Sequence, residues 1–285
     1  MKKLIATVLF SALLSPFCLS AAVAAEEGEG GGTPHYPLEH PEEMDWSFAG
    51  PLGTYDRGQL QRGLKVYKQV CSACHSLDLV AFRTLSDLGY SEEQVKAFAA
   101  EYEIEAGPDN DGNMYMRPGI PSDYFPAPFE NPEQAAASNN GAAPPDLSLM
   151  AKARGITRGF PTFVFDIFTQ YQEGGPDYIH ALLTGYEEPP EGVEIPAGTY
   201  YNPYFANAAS LAMAPPLSDG IVSYDDGAPE TVDQYSRDIA AFLMWTAEPK
   251  LEDRKQTGLV VMVFLVILAV LVFLTKKSVY ARKHD

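Results

Sequence analysis

Three cysteines in 285 residues are too few for a disulfide-stapled scaffold, and cations are scarce as well: 20 Lys and Arg stand against 38 Asp and Glu. The resulting formal charge of −18 leaves no basic surplus to neutralise phosphates, which excludes nucleic acid as a partner. A glycine-rich phosphate loop, a Ser/His/Asp constellation and a second metal-ligand motif are also missing, so nucleotide hydrolysis and triad chemistry have no support. Apolar residues are not missing. At 46% hydrophobic and 12% aromatic, the chain is no disordered acidic protein and can fill the core of one large or two small domains.

The few basic residues gather at the two ends. Residues 1–25 hold Lys2 and Lys3 and no acid, and the segment from Lys250 onward holds seven Lys and Arg against three acids. Residues 26–249 keep 11 basic and 35 acidic side chains, a net of −24. At the front, Lys2-Lys3 precedes an apolar run from Leu4 to Leu14 and the small residues Ala21-Ala22-Val23-Ala24-Ala25. This layout predicts a secretory signal peptide over 1–25, cut after Ala24 or Ala25, because the run is too short to cross a bilayer. Phe17 stands where a lipoprotein needs a small residue, so Cys18 is expected to leave with the signal. Towards the other end, Gly258 to Thr275 is apolar, uncharged and without the polar face of a core helix. At about 1.5 Å per residue it crosses most of the hydrocarbon layer. The expected organisation is a cleaved signal (1–25), a flexible acidic leader (26–47), an exported domain (48–249), a juxtamembrane linker (250–257), a transmembrane helix (258–275) and a basic cytoplasmic tail (276–285). The positive-inside bias prefers that orientation.

With Cys18 gone, Cys71 and Cys74 remain, followed at once by His75 in Cys71-Ser72-Ala73-Cys74-His75. Two cysteines in an exported domain could close a disulfide or act as a redox pair. The adjacent histidine decides for another chemistry, covalent attachment of one c-type haem. Thiols at this spacing add to the two vinyl groups of one porphyrin, and the one-residue offset swings the imidazole under the iron.

Asp56 is placed to cap a helix through Leu60, Gly63, Leu64, Tyr67 and Val70, and Glu230 to Trp245 repeats the pattern with Val232, Tyr235, Ile239, Phe242 and Leu243. Two apolar helix faces alone would make a generic core; placed on either side of a haem motif they resemble the pair that crosses in a class I cytochrome c. The expected fold class is therefore mainly α, a class I cytochrome c fold with long loop insertions, plus one C-terminal transmembrane helix. The sixth iron ligand separates electron carriers from haem enzymes. His35 and His40 lie in the leader, His284 beyond the span, and His180 in an apparent helix that suits a surface role. Methionine ligation raises the potential and leaves no open coordination site. Met150 and Met244 read as core and Met114 and Met116 as weak candidates in an acidic loop. Met213, in Ala212-Met213-Ala214-Pro215-Pro216, is the strongest, because prolines stiffen the loop and small neighbours admit a flat macrocycle.

Several strings then occur in order: Arg83-Thr84-Leu85 after the haem motif, Asn139-Asn140-Gly141-Ala142, Pro144-Pro145-Asp146-Leu147-Ser148, and Leu183-Thr184-Gly185-Tyr186-Glu187-Glu188-Pro189-Pro190. Tyr200-Tyr201-Asn202-Pro203-Tyr204-Phe205, Met213-Ala214-Pro215-Pro216, Tyr224-Asp225-Asp226-Gly227 and Trp245-Thr246-Ala247-Glu248-Pro249-Lys250 follow. From about Phe48 to the C-terminus the chain resembles the cytochrome c1 family, the haem subunit of cytochrome bc1 complexes. The resemblance implies His75 and Met213 as iron ligands, with one haem c held through Cys71 and Cys74. It also implies an electron taken from the Rieske iron–sulfur subunit after quinol oxidation and given to a basic soluble or membrane-tethered cytochrome c. The setting it implies is a dimeric ubiquinol–cytochrome c reductase with cytochrome b and membrane lipid as neighbours, in a bacterial inner membrane with the haem domain on the periplasmic side. Quinol oxidation itself belongs to the partner subunits.

Arg154 and Tyr178 match the family's haem-propionate contacts, a guanidinium and a phenol suited to carboxylates. Asn139 and the Pro144-Pro145 turn are expected to line the haem pocket, since Pro-rich extended backbone packs closely on a ring; ordinary surface roles are the alternative for Arg154 and Tyr178, and a simple loop for Asn139 and Pro145. Two departures stand out. Gly155 to Gly174 looks like an insertion relative to the shortest members, and no cysteine remains for the extra disulfide of some bacterial relatives. The acidic stretches Glu101 to Glu105, Glu187-Glu188 with Glu191 and Glu194, and Asp225-Asp226 contribute to a field that would speed encounter with a basic carrier and weaken with salt.

Overall fold

A computed structural model of the chain describes residues 38–154, 162, 164–165 and 173–281. All of them belong to the larger of two compact units, Tyr36–Asp285; the other, Met1–His35, lies outside the described residues, and with it the expected signal peptide. Most of the expected 155–174 insertion and the last four residues of the tail lie outside them as well.

The carboxylate of Asp56 accepts the amides of Gly58 and Gln59 at 2.9 and 3.2 Å and so starts helix α1 (Arg57–Gln69), as the sequence predicts. The haem motif follows in a 3-10 turn (Cys71–Ala73), and a second 3-10 segment (Phe82–Leu88) ends at Gly89, whose φ of 96° only glycine adopts freely. Helix α2 (Glu92–Ala99) opens with a reciprocal Ser91–Gln94 capping box. Strands β1 (Glu103–Ala106) and β2 (Tyr115–Pro118) form an antiparallel ribbon. The ribbon corrects the loop expected there: Met116 is a strand residue, and Glu103 and Glu105 lie on the partner strand.

Short helices α3 (Pro132–Ser138) and α4 (Met150–Ala153) lead to α5 (Gly174–Thr184), a two-residue pair β3 (Tyr200–Tyr201) and β4 (Ser210–Leu211), and then α6 (Val232–Ala247). The last element is α7 (Leu251–Ala281), 31 residues or about 46 Å long, whose apolar middle is exposed throughout. Apolar residues exposed along a whole helix mark a membrane span, since in water they would cost roughly 1.5–3 kcal/mol each.

The core is the crossing of α1 and α6, with α5 packed on the other side of α6. Leu60, Leu64, Tyr67, Ile239 and Phe242 are all buried there. Gly63 sets how closely the helices approach: a Cβ at this position would lie 2.2 Å from the Asp238 carbonyl oxygen and 2.5 Å from the Phe242 Cβ. One charge is buried in the crossing. Asp238, with no exposed side-chain surface, takes two hydrogen bonds from the Arg62 guanidinium at 2.9 and 3.2 Å, one from the Tyr224 hydroxyl at 2.8 Å and one from the Gln234 amide at 2.9 Å. Four donors compensate the desolvation of one carboxylate, so the buried charge fixes the crossing's register without being orphaned.

Candidate haem-binding site

The last turn of α1 carries the chain directly into the motif. The His75 amide donates to the Cys71 carbonyl at 2.9 Å and the Cys74 amide to the same oxygen at 3.1 Å, which folds Cys71, Cys74 and His75 into one tight turn. Both thiols are free and half-buried rather than joined in a disulfide. Burial, and secondarily the neighbouring Cys74, pushes the Cys71 thiol up to about 12, so it is held as a neutral thiol.

His75 is held in one orientation. Its Nδ1 is 2.8 Å from the Pro145 carbonyl oxygen, and the Tyr67 hydroxyl donates to the His75 carbonyl at 3.1 Å. Burial lowers the imidazole pKa, against the opposing pull of the Pro145 carbonyl and the Asp146 charge. The ring is thus neutral with its proton on Nδ1, because a carbonyl can only accept, and Nε2 keeps a lone pair for a metal.

Pro145 belongs to a clamp that the sequence did not reveal. The Asp146 carboxylate accepts from the Ser76 hydroxyl at 2.9 Å, the Asp78 amide at 2.8 Å and the Ser148 amide at 2.9 Å. The Ser148 hydroxyl accepts from the Leu79 amide at 3.1 Å, and the Leu147 amide donates to the Ser76 carbonyl at 3.0 Å. Burial opposes the charged carboxylate, yet these donors together hold Asp146 below the usual aspartate range. A signal was available: an Asp two residues before a Ser is a local turn former, but its partners 68–70 residues upstream follow no sequence rule.

Met213 lies two residues after β4. The β3–β4 pair closes the loop before it, and Asn202, buried, donates to the Leu182 carbonyl at 2.8 Å and pins that loop to the end of α5. Directly after α5, the Tyr186 hydroxyl donates to the Met213 carbonyl at 3.1 Å. Tyr186 was not among the expected site residues; this bond makes it the group that holds the Met213 loop. Among the other methionines, Met244 is fully buried in α6, Met150 packs against the core, and Met114, in the loop before β2 as expected, and Met116, on β2, are more than half exposed.

The remaining expected residues divide. Tyr178 is buried in α5 with its hydroxyl against the Ala206 amide and near Arg154; burial raises its pKa, while the Ala206 amide and the Arg154 charge pull it down. Arg154 is the residue that ends α4, so the structure brings these two together. Gly175 permits the contact between their helices, since a Cβ there would lie 1.7 Å from the Ala151 carbonyl oxygen. Asn139, by contrast, donates its side-chain amide to the Ala135 carbonyl at 2.7 Å, a bond inside its own turn. His180 is paired with Asp233 at 2.9 Å, in keeping with a structural role. Of the acidic stretches, Asp225 and Asp226 are engaged by Lys65 and Arg62, at 2.8 and 2.7 Å, whereas Glu187, Glu188, Glu191 and Glu194 are exposed.

The donor set has the chemistry a covalently held haem requires: two free thiols three residues apart, and an imidazole whose second nitrogen is already engaged. Among the described residues no cluster of His, Cys, Asp and Glu suited to a separate metal ion is present.

The comparisons with known proteins agree with this chemistry. Residues 46–283 match the model of the Cytochrome C1 family. The chain is 46% identical over 269 residues to cytochrome c1 of Blastochloris viridis, covering 93% of this chain and 92% of that protein. It is 42% identical over 278 residues to cytochrome c1 of Rhodospirillum rubrum, covering 92% and 93%. It is 59% identical over 250 residues to cytochrome b/c1 of Bradyrhizobium diazoefficiens, where 86% of this chain spans only 36% of the longer protein. The chain belongs to the cytochrome c1 family.

Proposed function

We propose, from that membership, that the chain carries single electrons within a cytochrome bc1 complex, from the Rieske iron–sulfur protein to a soluble or tethered cytochrome c. The family itself makes it a haem-containing electron-transfer subunit, and the apolar α7 fits a single membrane span. The finer assignments are ours. Cys71 and Cys74 would hold the porphyrin as thioethers, His75 Nε2 and the Met213 sulfur would ligate its iron, and Arg154 and Tyr178 would hold a propionate. Pro145 acts through its carbonyl on His75, and we give Asn139 only a packing role at the pocket wall.

Bound there, a haem supplies a one-electron iron couple whose potential His/Met ligation raises. The chain's own residues do the rest. Pro145 fixes the imidazole tautomer, Tyr186 holds the Met213 loop, and the buried core of α1 and α6 keeps water from one side of the site. Exposed carboxylates on the domain attract a basic carrier. The haem domain is read as periplasmic, behind a cleaved signal, with 276–285 as the cytoplasmic tail; the end of the expected leader belongs to the domain, since Trp46 is buried and its indole N–H donates to Asp177 at 2.7 Å. Cytochrome b, the Rieske subunit and membrane lipid are its expected neighbours in a dimeric complex, in which the chain is a subunit of ubiquinol–cytochrome c reductase.

The observation that carries this reading is the His75–Pro145 contact beside two free thiols. Its test is purification in mild detergent followed by denaturing electrophoresis. Haem that stays with the chain after denaturation, and co-isolation with a cytochrome b and a Rieske protein, are expected. A chain isolated alone with covalent haem would instead point to a membrane-anchored shuttle.

A further inference from the structure

Only Glu248, Pro249 and Lys250 join the end of α6 to the start of α7, the long apolar helix. A break of three residues is by itself a swivel, and relative motion is the default for a domain joined by so little. Here the break is held from several directions. The Glu248 carboxylate, 15% exposed, takes Lys152 from α4 on one oxygen at 2.6 Å and Arg254 from the first turn of α7 on the other. Two cations on one half-enclosed carboxylate hold it ionised, below the usual glutamate range, although burial alone would raise it.

A second set of bonds comes from the segment before α1. The Tyr55 hydroxyl is shared between the carbonyls of Met244 and Glu248, at 3.3 and 3.1 Å, and the Tyr55 amide donates to the Glu252 carboxylate at 2.7 Å. The Lys255 ammonium donates to the Phe48 carbonyl, and Leu251 is buried in the domain core. Two regions far apart in sequence, residues 48–55 and Lys152 of α4, therefore meet the joint between Glu248 and Lys255, a few residues before the uncharged run begins at Gly258. None of these groups is needed to build the haem site.

We propose that Glu248 is a positioning residue that welds the anchor to the domain and so fixes the attitude of the haem site to the membrane plane. The inference rests on the reading of α7 as a membrane span and of the Cys71–His75 turn as the haem site.

The test uses the full chain in its complex, in lipid nanodiscs, with nitroxide labels at Asp87→Cys in the domain and Val260→Cys in α7. Both positions are exposed. Pulsed electron–electron distances are expected to be narrow in the parent and to broaden roughly twofold in Glu248→Ala, as an unlocked swivel requires, with haem spectrum and midpoint potential unchanged. Should Glu248→Ala fail to accumulate, Arg254→Gln with Lys152→Gln removes the same clamp from the partner side and is expected to broaden the distances in the same way. A broad distribution in the parent, or a narrow one in every clamp variant, overturns the weld. Extra label on Cys71 and Cys74 in the parent would overturn the haem reading, while the distance distribution still decides the joint.

Discussion

The Nδ1 atom of His75 stands 2.8 Å from the carbonyl oxygen of Pro145, 70 positions downstream. A main-chain acceptor cannot be removed by changing its side chain, so the histidine's tautomer is built into the backbone path of the Pro144-Pro145-Asp146 segment. What places that path is Asp146. Asp146→Asn should therefore loosen the clamp on Ser76, Asp78 and Ser148 and let the imidazole rotate.

The sign of the pH effect follows from the depressed carboxyl. Because folding holds Asp146 below the ordinary aspartate value of about 3.9, its contribution is fully present above that value and is lost as pH falls through the lower folded value. In acid titrations followed by circular dichroism, the parent should lose this stability below about pH 4. Asp146→Asn should be less stable at neutral pH and show a flatter acid limb. Parallel acid limbs in the two proteins would contradict the assignment.

Replacing Met213 with Leu should leave haem attached through the thioethers while removing the axial sulfur. Axial ligands command roughly 0.8 V of potential, and the expected fall is on the order of 0.1–0.3 V. Redox titration of the purified complex measures it, together with carbon monoxide binding by the ferrous form. An unchanged potential and spectrum would remove Met213 from the ligand set.

Tyr186→Phe keeps the ring and deletes the hydroxyl that donates to the Met213 carbonyl. Losing one such bond costs about 1 kcal/mol, which is a roughly fivefold larger population with the sulfur detached. Carbon monoxide binding kinetics should rise by that factor, while Met213→Leu gives full reactivity. Equal kinetics in Tyr186→Phe and the parent would show that packing alone holds the loop.

Gly63→Ala drives a methyl group to 2.2 Å from a backbone oxygen of α6. Since backbone cannot rotate away, the crossing must open, at a cost of about 1–3 kcal/mol. For a domain of this size the thermal midpoint should fall by roughly 2–4 °C per kcal/mol. A midpoint equal to the parent's would mean that the helices do not approach as closely as described.

Salt should slow reduction of a basic carrier, because a net of −24 over residues 26–249 steers encounter and the Debye length shrinks to about 8 Å near 0.15 M. The second-order rate is the quantity to follow. Within the acidic set, neutralising Glu187 and Glu188 should act on that rate, whereas Asp226→Asn should act on stability, since Asp226 is bonded to Arg62.

Much of the molecule is legible in the chain because local rules govern it. The Asp56 cap, the periodic apolar faces of α1 and α6, the uncharged run of α7 and the spacing of Cys71, Cys74 and His75 all depend on neighbours within a turn or two. Met116 was misplaced because a short ribbon depends on its partner strand, and a methionine after acidic residues carries no strand signal. Nothing in the sequence sets Asp238 apart from the other acids of the chain. Only the approach of Arg62, Tyr224 and Gln234 made it a buried one.

The sequence by itself thus determined the haem motif, the helices that flank it, the membrane span and the acidity of the domain between, since each is a matter of spacing or composition along one chain. Tertiary structure alone decided which nitrogen of His75 is engaged, which hydroxyl holds the Met213 loop, which acids are already paired, and how α7 is clamped at Glu248. Those are contacts between residues tens to hundreds of positions apart. Hydrogen bonds form by distance and angle in space, and no local pattern in the chain encodes which distant donor will arrive.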